Sequence, residues 1–106
     1  MSSLGEKRRK FSKMLCLLQH YILFLGHDYA LDQTKRCKEC PIGHPRSTHK
    51  SGVAVDILLY SPTGDYPYSQ DKIIHNQLHD FWDLLGGAER IENDLNHYSL
   101  EHGGVR

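Results

Sequence analysis

Two short segments of the chain carry the side-chain types that bind metal ions and move protons. In the first, His49 precedes Asp56 by seven residues, across a Lys-Ser-Gly bend. Asp56 is the single charge in an apolar run, and a buried carboxylate is costly unless it is paired or coordinates a metal. Because imidazole nitrogens and carboxylate oxygens both suit zinc, the two residues predict a metal site. The alternative is that Asp56 is an edge-strand carboxylate bonded to backbone amides.

The second segment is Asp94-Leu95-Asn96-His97. An acid three residues before a histidine can direct both side chains into one cavity. Hydrolytic zinc sites use three protein ligands and leave a fourth position for water. A nearby carboxylate takes the proton of that water and passes it to the leaving amine. Taken alone, Asp94 is equally typical of a turn or a helix cap.

Together the two segments resemble the sequence pattern of the LAS zinc peptidases. That pattern reads Ser-x-His-x-x-Gly-x-Ala-x-Asp, followed downstream by Asp-x-x-His. The family includes D-alanyl-D-alanine carboxypeptidases of the VanY type and phage endolysins that are L-alanyl-D-glutamate peptidases. The resemblance covers nearly the whole chain. The residues that match the two motifs at every fixed position are Ser47, His49, Gly52, Ala54, Asp56, Asp94 and His97.

The resemblance implies a role for the metal-binding positions. His49, Asp56 and His97 would hold zinc, and Asp94 would act as the general base and general acid. Three protein ligands, rather than the four that close a structural zinc site, favour a catalytic centre.

The resemblance also implies residues that contact the substrate. Family members carry an arginine that steadies the substrate carbonyl or carboxylate, and Arg36 lies in the corresponding stretch, with Arg46 as its competitor. A guanidinium offers a planar fork to an anion, so either residue is chemically apt. The alternative for both is a solvated loop charge. Ser47 would hydrogen-bond near the site.

The function that the resemblance implies is zinc-dependent hydrolysis of peptidoglycan stem peptides, in the manner of a phage endolysin that lyses its host. The bond would join L-alanine to D-glutamate. A D-alanyl-D-alanine carboxypeptidase is one alternative, and a non-catalytic module that binds the cell wall on the same fold is another. A zinc-stabilised structural protein of a virion is a third alternative.

The chain departs from the family pattern over residues 36–41, where relatives usually carry a helical Arg-x-Pro-Glu-Gln-like stretch. Cys37 and Cys40 in this stretch invite a second zinc or a redox interpretation. A structural zinc needs four ligands, and only His44 lies near. We interpret the two cysteines as loop thiols.

A second histidine pair lies on the second predicted helix. His75 and His79 have the i, i+4 spacing of a zinc pair. The protease motif His-Glu-x-x-His would need glutamate at position 76, where Asn76 stands. We therefore expect both histidines on the helix surface.

Apolar spacing predicts the elements that must position these residues. Three- and four-residue steps indicate a helix over 6–25 and a second over 71–85, each followed by glycine. Strands are predicted over 28–31, 53–60 and 96–101. The pattern predicts an α+β fold in a single domain (1–106), with a small antiparallel sheet packed against two main helices, as the resemblance to LAS peptidases also implies.

Composition excludes several classes of function. The 106 residues carry 13 Lys and Arg against 13 Asp and Glu, a net charge of zero, which argues against a nucleic-acid binder or a polybasic membrane anchor. Three cysteines do not suggest a disulfide framework. The first apolar run lacks a small-residue cleavage site, and no run is long enough for a membrane span. We expect a soluble monomer without a signal peptide. From the family resemblance, it would wait in the host cytoplasm until the membrane opens.

Overall fold

Two helices and a three-stranded antiparallel sheet make up the described part of the chain. The computed structural model describes residues 3–32, 51–61 and 71–106. The α+β prediction is confirmed, and each predicted helix and strand overlaps an observed one. The elements are, in order, α1 (Leu4–Phe24), β1 (Asp28–Asp32), β2 (Ala54–Tyr60), α2 (Lys72–Leu84) and β3 (His97–Ser99).

Helix α1 buries one apolar face and has a clear signal at each end. The Ser3 side chain accepts a hydrogen bond from the Glu6 amide and caps the first turn. Gly26 follows the last turn with φ of 88°, a left-handed conformation that glycine adopts without a Cβ penalty. The buried face consists of Phe11, Met14, Leu18 and Ile22.

The sheet has the order β1-β2-β3, so β2 is the central strand and pairs antiparallel with both neighbours. Side chains alternate between its faces. Val55, Ile57 and Leu59 are fully buried and face the helices. Asp56 and Leu58 point to the other face and are only half-buried. The central strand therefore presents Asp56 on the face opposite the core.

Helix α2 packs against α1 and the sheet through aromatic side chains. Asp71 caps its first turn by accepting from the Ile74 amide. The Trp82 indole meets Phe11 edge-on, with ring centroids 5.8 Å apart. Its Nε1–H donates to the Ser99 carbonyl at 2.9 Å. That hydrogen bond ties α2 directly to β3.

The expectation that His75 and His79 lie on the helix surface is wrong. Both are fully buried, because at i, i+4 and i+7 they share one helical face with Trp82. A hydrogen bond to the ring lowers the cost of burying an imidazole, and each of the two rings has one. His75 Nδ1 lies 2.6 Å from the Tyr98 hydroxyl, and His79 Nε2 lies 2.7 Å from the Leu95 carbonyl oxygen.

The basic first turns of α1 bind the chain's own backbone. Lys7 Nζ donates to the Glu101 carbonyl at 3.0 Å, and Arg8 Nε donates to the Ser51 carbonyl at 2.8 Å. These contacts fasten the helix to the residues before β2 and after β3. Neither helix of the described part is both long enough and apolar enough to cross a membrane.

Candidate metal centre

Asp56, Asp94 and His97 form a group that could hold a metal ion. Each offers one ligand atom, and these three atoms all lie within 4.8 Å of one another. The group joins the two segments that the sequence singled out, one on β2 and the other at the start of β3. The prediction of a metal site is thereby confirmed in part, since the described residues include a group that could hold a metal ion.

The strand pairing explains why Asp56 and His97 meet. They are direct partners in the antiparallel register of β2 and β3, and directly opposed residues project from the same face of a sheet. His97 Nδ1 lies 3.4 Å from Asp56 Oδ1, and the side chains are 8% and 16% exposed. Such a sheltered carboxylate is costly unless it is paired or binds a cation. The backbone pairing of β2 and β3 places the two side chains next to each other.

Asp94 reaches the group from the turn that precedes β3. Its amide donates to the Ile91 carbonyl at 2.9 Å, and its carbonyl accepts from the His97 amide at 3.1 Å. The alternative interpretation of Asp94 as a turn residue is therefore also correct, because the turn is what brings it beside His97. Asp94 is exposed, whereas Asp56 is half-buried and His97 is buried. Of the three, Asp94 has the freest access to the protons of the solvent.

A second polar group lies on the opposite side of β3, in the core. The Tyr98 side chain of β3 is fully buried on the side of the sheet that faces α2. The His79 ring stacks on it at a centroid distance of 4.2 Å. Burial raises the pKa of Tyr98 above its usual value and lowers the pKa of His79 to about 4. Both groups are therefore neutral near neutral pH. We call His75, His79 and Tyr98 the core cluster.

The sequence contains a signal for the core cluster that the comparison with the His-Glu-x-x-His motif does not use. Positions 75, 78, 79 and 82 follow the i, i+3, i+4, i+7 pattern of a buried helical face. Leu78 and Trp82 mark that face as apolar. Reading the two histidines with these neighbours, rather than as a pair of their own, predicts their burial.

Four of the predicted site residues lie outside the described residues. They are the metal ligand candidate His49 and the substrate-binding candidates Arg36, Arg46 and Ser47. Cys37 and Cys40 also lie outside them. The three predicted site residues that the structure describes are the three that it brings together.

A polar cavity of about 560 Å³ opens between α2 and residues 89–95. It contains Arg90, whose guanidinium donates to Asp80 at 2.8 Å and to Asp83 at 2.9 Å. The hydrogen bond to Asp80, joined by that to Asp83, raises the pKa of Arg90. Because two carboxylates already neutralise it, this guanidinium is a poor substitute for the substrate-binding role expected of Arg36 or Arg46.

No family model matches the chain, and neither the curated proteins nor the solved structures give a match. The two motifs and the geometry of their described residues are therefore the features of the chain that point to a function.

Proposed function

We propose that the chain is a zinc-dependent peptidase that cleaves peptidoglycan stem peptides between L-alanine and D-glutamate, as phage endolysins of the LAS type do. One observation carries the proposal. Two motifs that are far apart in the sequence contribute Asp56, Asp94 and His97 to a single group with ligand atoms within 4.8 Å. The same two motifs, in the same order, carry the resemblance to the LAS peptidases.

The chemistry of the donor set fits a catalytic zinc site. In the proposal His49, Asp56 and His97 hold the metal, which gives two imidazole nitrogens and one carboxylate oxygen. Nitrogen and oxygen donors of this kind bind zinc in hydrolases, with a fourth position left for water or substrate. The described pair, Asp56 and His97, lies on adjacent strands, which suits a site that must keep its shape during turnover.

Zinc in this position would polarise the scissile carbonyl and lower the pKa of a bound water toward neutrality. The Asp94 carboxylate accepts the proton of the attacking water and then delivers it to the leaving amine. Its exposure to solvent suits a group that must exchange protons in every turnover. The Asp56 carboxylate, held in β2 beside His97, would offset part of the charge of the cation.

The remaining roles follow from the resemblance. Arg36 or Arg46 orients the substrate through its carbonyl or carboxylate, and Ser47 hydrogen-bonds beside the site. The enzyme acts as a monomer on the stem peptides of the cell wall, after the host membrane has been opened, and has no nucleic-acid partner. The neutral overall charge means that affinity for the wall comes from the cleft and not from bulk attraction.

The test is digestion of purified muropeptides by the zinc-loaded chain, with the products identified by mass spectrometry. We expect fragments that begin with D-glutamate. Asp94→Asn should keep its zinc and lose activity by about 100-fold or more, because general acid–base catalysis typically contributes about 10²–10⁴-fold. Asp28→Asn makes the same chemical change on an exposed carboxylate at the far end of the sheet and should remain fully active.

Other results of this digestion would identify one of the alternative functions. Release of single D-alanine residues would identify a carboxypeptidase. Zinc binding without cleavage of any muropeptide would indicate a wall-binding module. A fully active Asp94→Asn variant would contradict the proposed mechanism.

A further inference from the structure

The turn from Asp94 to His97 must hold its shape for the metal centre to exist, and its backbone shows what holds it. Three consecutive carbonyls in this turn accept hydrogen bonds. The Asp94 carbonyl accepts from the His97 amide, and the Asn96 carbonyl accepts from the Ile57 amide of β2 at 2.8 Å. Both donors are backbone amides of the sheet.

The middle carbonyl, that of Leu95, is held by a side chain. His79 Nε2 lies 2.7 Å from this oxygen, and both groups are buried. A carbonyl oxygen only accepts, so Nε2 must carry the proton, which assigns the neutral ring to one tautomer. His79 Nδ1 is buried and has no hydrogen-bond partner among the residues that the structure describes. Among the described residues, the Leu95 carbonyl is therefore the one hydrogen-bond partner of the ring.

The position of the His79 ring is itself fixed by packing. The ring stacks on Tyr98 with an interplanar angle of 13°, and the Tyr98 hydroxyl lies 2.6 Å from His75 Nδ1. Helix α2 thus carries a rigid donor aimed at the turn between the proposed base and the proposed ligand. A donor that is locked in place can fix the spacing of Asp94 and His97, whereas a mobile one could not.

We propose that His79 is a positioning residue for the metal centre, acting through its hydrogen bond to the Leu95 carbonyl. The inference deepens the proposed function, since it assigns to α2 the task of setting the distance between Asp94 and His97. His79 does not contact the metal or the substrate in this role. It acts from the core side of β3, through the backbone of the turn.

The test compares His79→Gln with His79→Leu. The glutamine amide nitrogen falls close to the position of Nε2 and can donate to the same carbonyl, whereas leucine has a similar size and no donor. Zinc affinity is measured by competition with a chelator, on samples whose circular dichroism shows the same folded fraction. We expect His79→Leu to bind zinc about 10- to 100-fold more weakly, the range typical for loss of an outer-shell partner. His79→Gln should stay within about threefold of wild type.

Ile22→Val serves as the matched control, because Ile22 is a fully buried residue of α1 and its truncation weakens the core without touching the Leu95 hydrogen bond. It should leave zinc affinity unchanged. Equal affinity in His79→Leu and wild type would overturn the inference. So would equal losses in the leucine and glutamine variants, or a loss in Ile22→Val as large as that in His79→Leu.

A second readout needs no metal and separates this inference from the proposed function. Amide hydrogen exchange in the metal-free chain should quicken at His97 and Ile57 in His79→Leu and should not change in His79→Gln. If the wild-type chain bound no zinc, the proposed function would fail, and the exchange data would still decide whether His79 holds the turn. Unchanged exchange in His79→Leu would refute the positioning role.

Discussion

Strand β3 separates two polar groups that differ in almost every physical respect. On one face, His97 joins Asp56 and Asp94 in a group that is open to solvent through Asp94. On the other face, Tyr98 joins His75 and His79 in a core cluster that is fully buried. Consecutive residues of one strand point to opposite faces, so a single step along the chain moves from one group to the other.

The two groups are suited to different roles. The open group contains carboxylates and a histidine in a geometry suited to a cation, and one of its members is solvated. The side chains of the core cluster hydrogen-bond to each other and to the backbone, and burial shifts the pKa values of His79 and Tyr98 in the directions that keep both groups neutral. The first arrangement suits chemistry, and the second suits stability and positioning. Substitutions on the two faces should therefore have different consequences.

The largest expected effect on stability concerns the core cluster in acid. Burial, with smaller contributions from Arg90 and His75, lowers the pKa of His79 from 6.5 to about 4, against the opposing effects of the Leu95 hydrogen bond and Asp83. The unfolded chain therefore binds a proton at His79 more readily than the folded chain. The contribution of the neutral His79 ring to the free energy of unfolding is fully present above about pH 6.5 and is lost as the pH falls toward 4. The loss should approach about 3 kcal/mol.

Urea unfolding of the metal-free chain, followed by the fluorescence of its single tryptophan, measures this loss between pH 7 and pH 4.5. His79→Gln is the control, because it has no titrating group at this position and keeps every other one. The stability of wild type should fall more steeply with acid than that of the variant. If the free energy of unfolding fell equally with pH in wild type and variant, protonation of His79 would not explain the loss of stability in acid.

A smaller effect is expected from Tyr98→Phe, which removes the hydroxyl that lies 2.6 Å from His75 Nδ1. Losing a buried hydrogen bond of this kind typically costs about 1–3 kcal/mol. Asp94→Asn, at an exposed position in the turn that precedes the same strand, should change the free energy of unfolding by no more than about 0.5 kcal/mol. Denaturant midpoints at pH 7 give both values. An equal loss of unfolding free energy in Asp94→Asn and Tyr98→Phe would contradict the proposed difference between the two faces.

The clearest sequence signals belong to the elements whose burial repeats at a regular interval, helix α1 and strand β2. The spacing of apolar residues alone predicts the apolar face of α1, from Phe11 to Ile22. The apolar and β-branched residues of β2 likewise predict a strand. The pairing of Asp56 with His97 could be expected only from the motif resemblance, because a strand register between distant segments leaves no local signal.

The error at His75 and His79 has a physical origin. A polar side chain on an amphipathic helix is ordinarily exposed, and its burial depends on partners elsewhere in the chain. Those partners, the Tyr98 hydroxyl and the Leu95 carbonyl, lie 23 and 16 residues away. The spacing of His75 and His79 with Leu78 and Trp82 indicates a buried face, but it does not identify the hydrogen-bond partners that make burial of the two rings tolerable.

The most direct test of the metal centre is a crystal structure of the zinc-loaded chain with anomalous diffraction recorded at the zinc edge. We expect one strong anomalous peak about 2.0–2.2 Å from ligand atoms of Asp56 and His97, the usual range for zinc–nitrogen and zinc–oxygen bonds, with the Asp94 carboxylate beside it. A peak at Cys37 and Cys40 instead, or no peak near β2 and β3, would contradict the account.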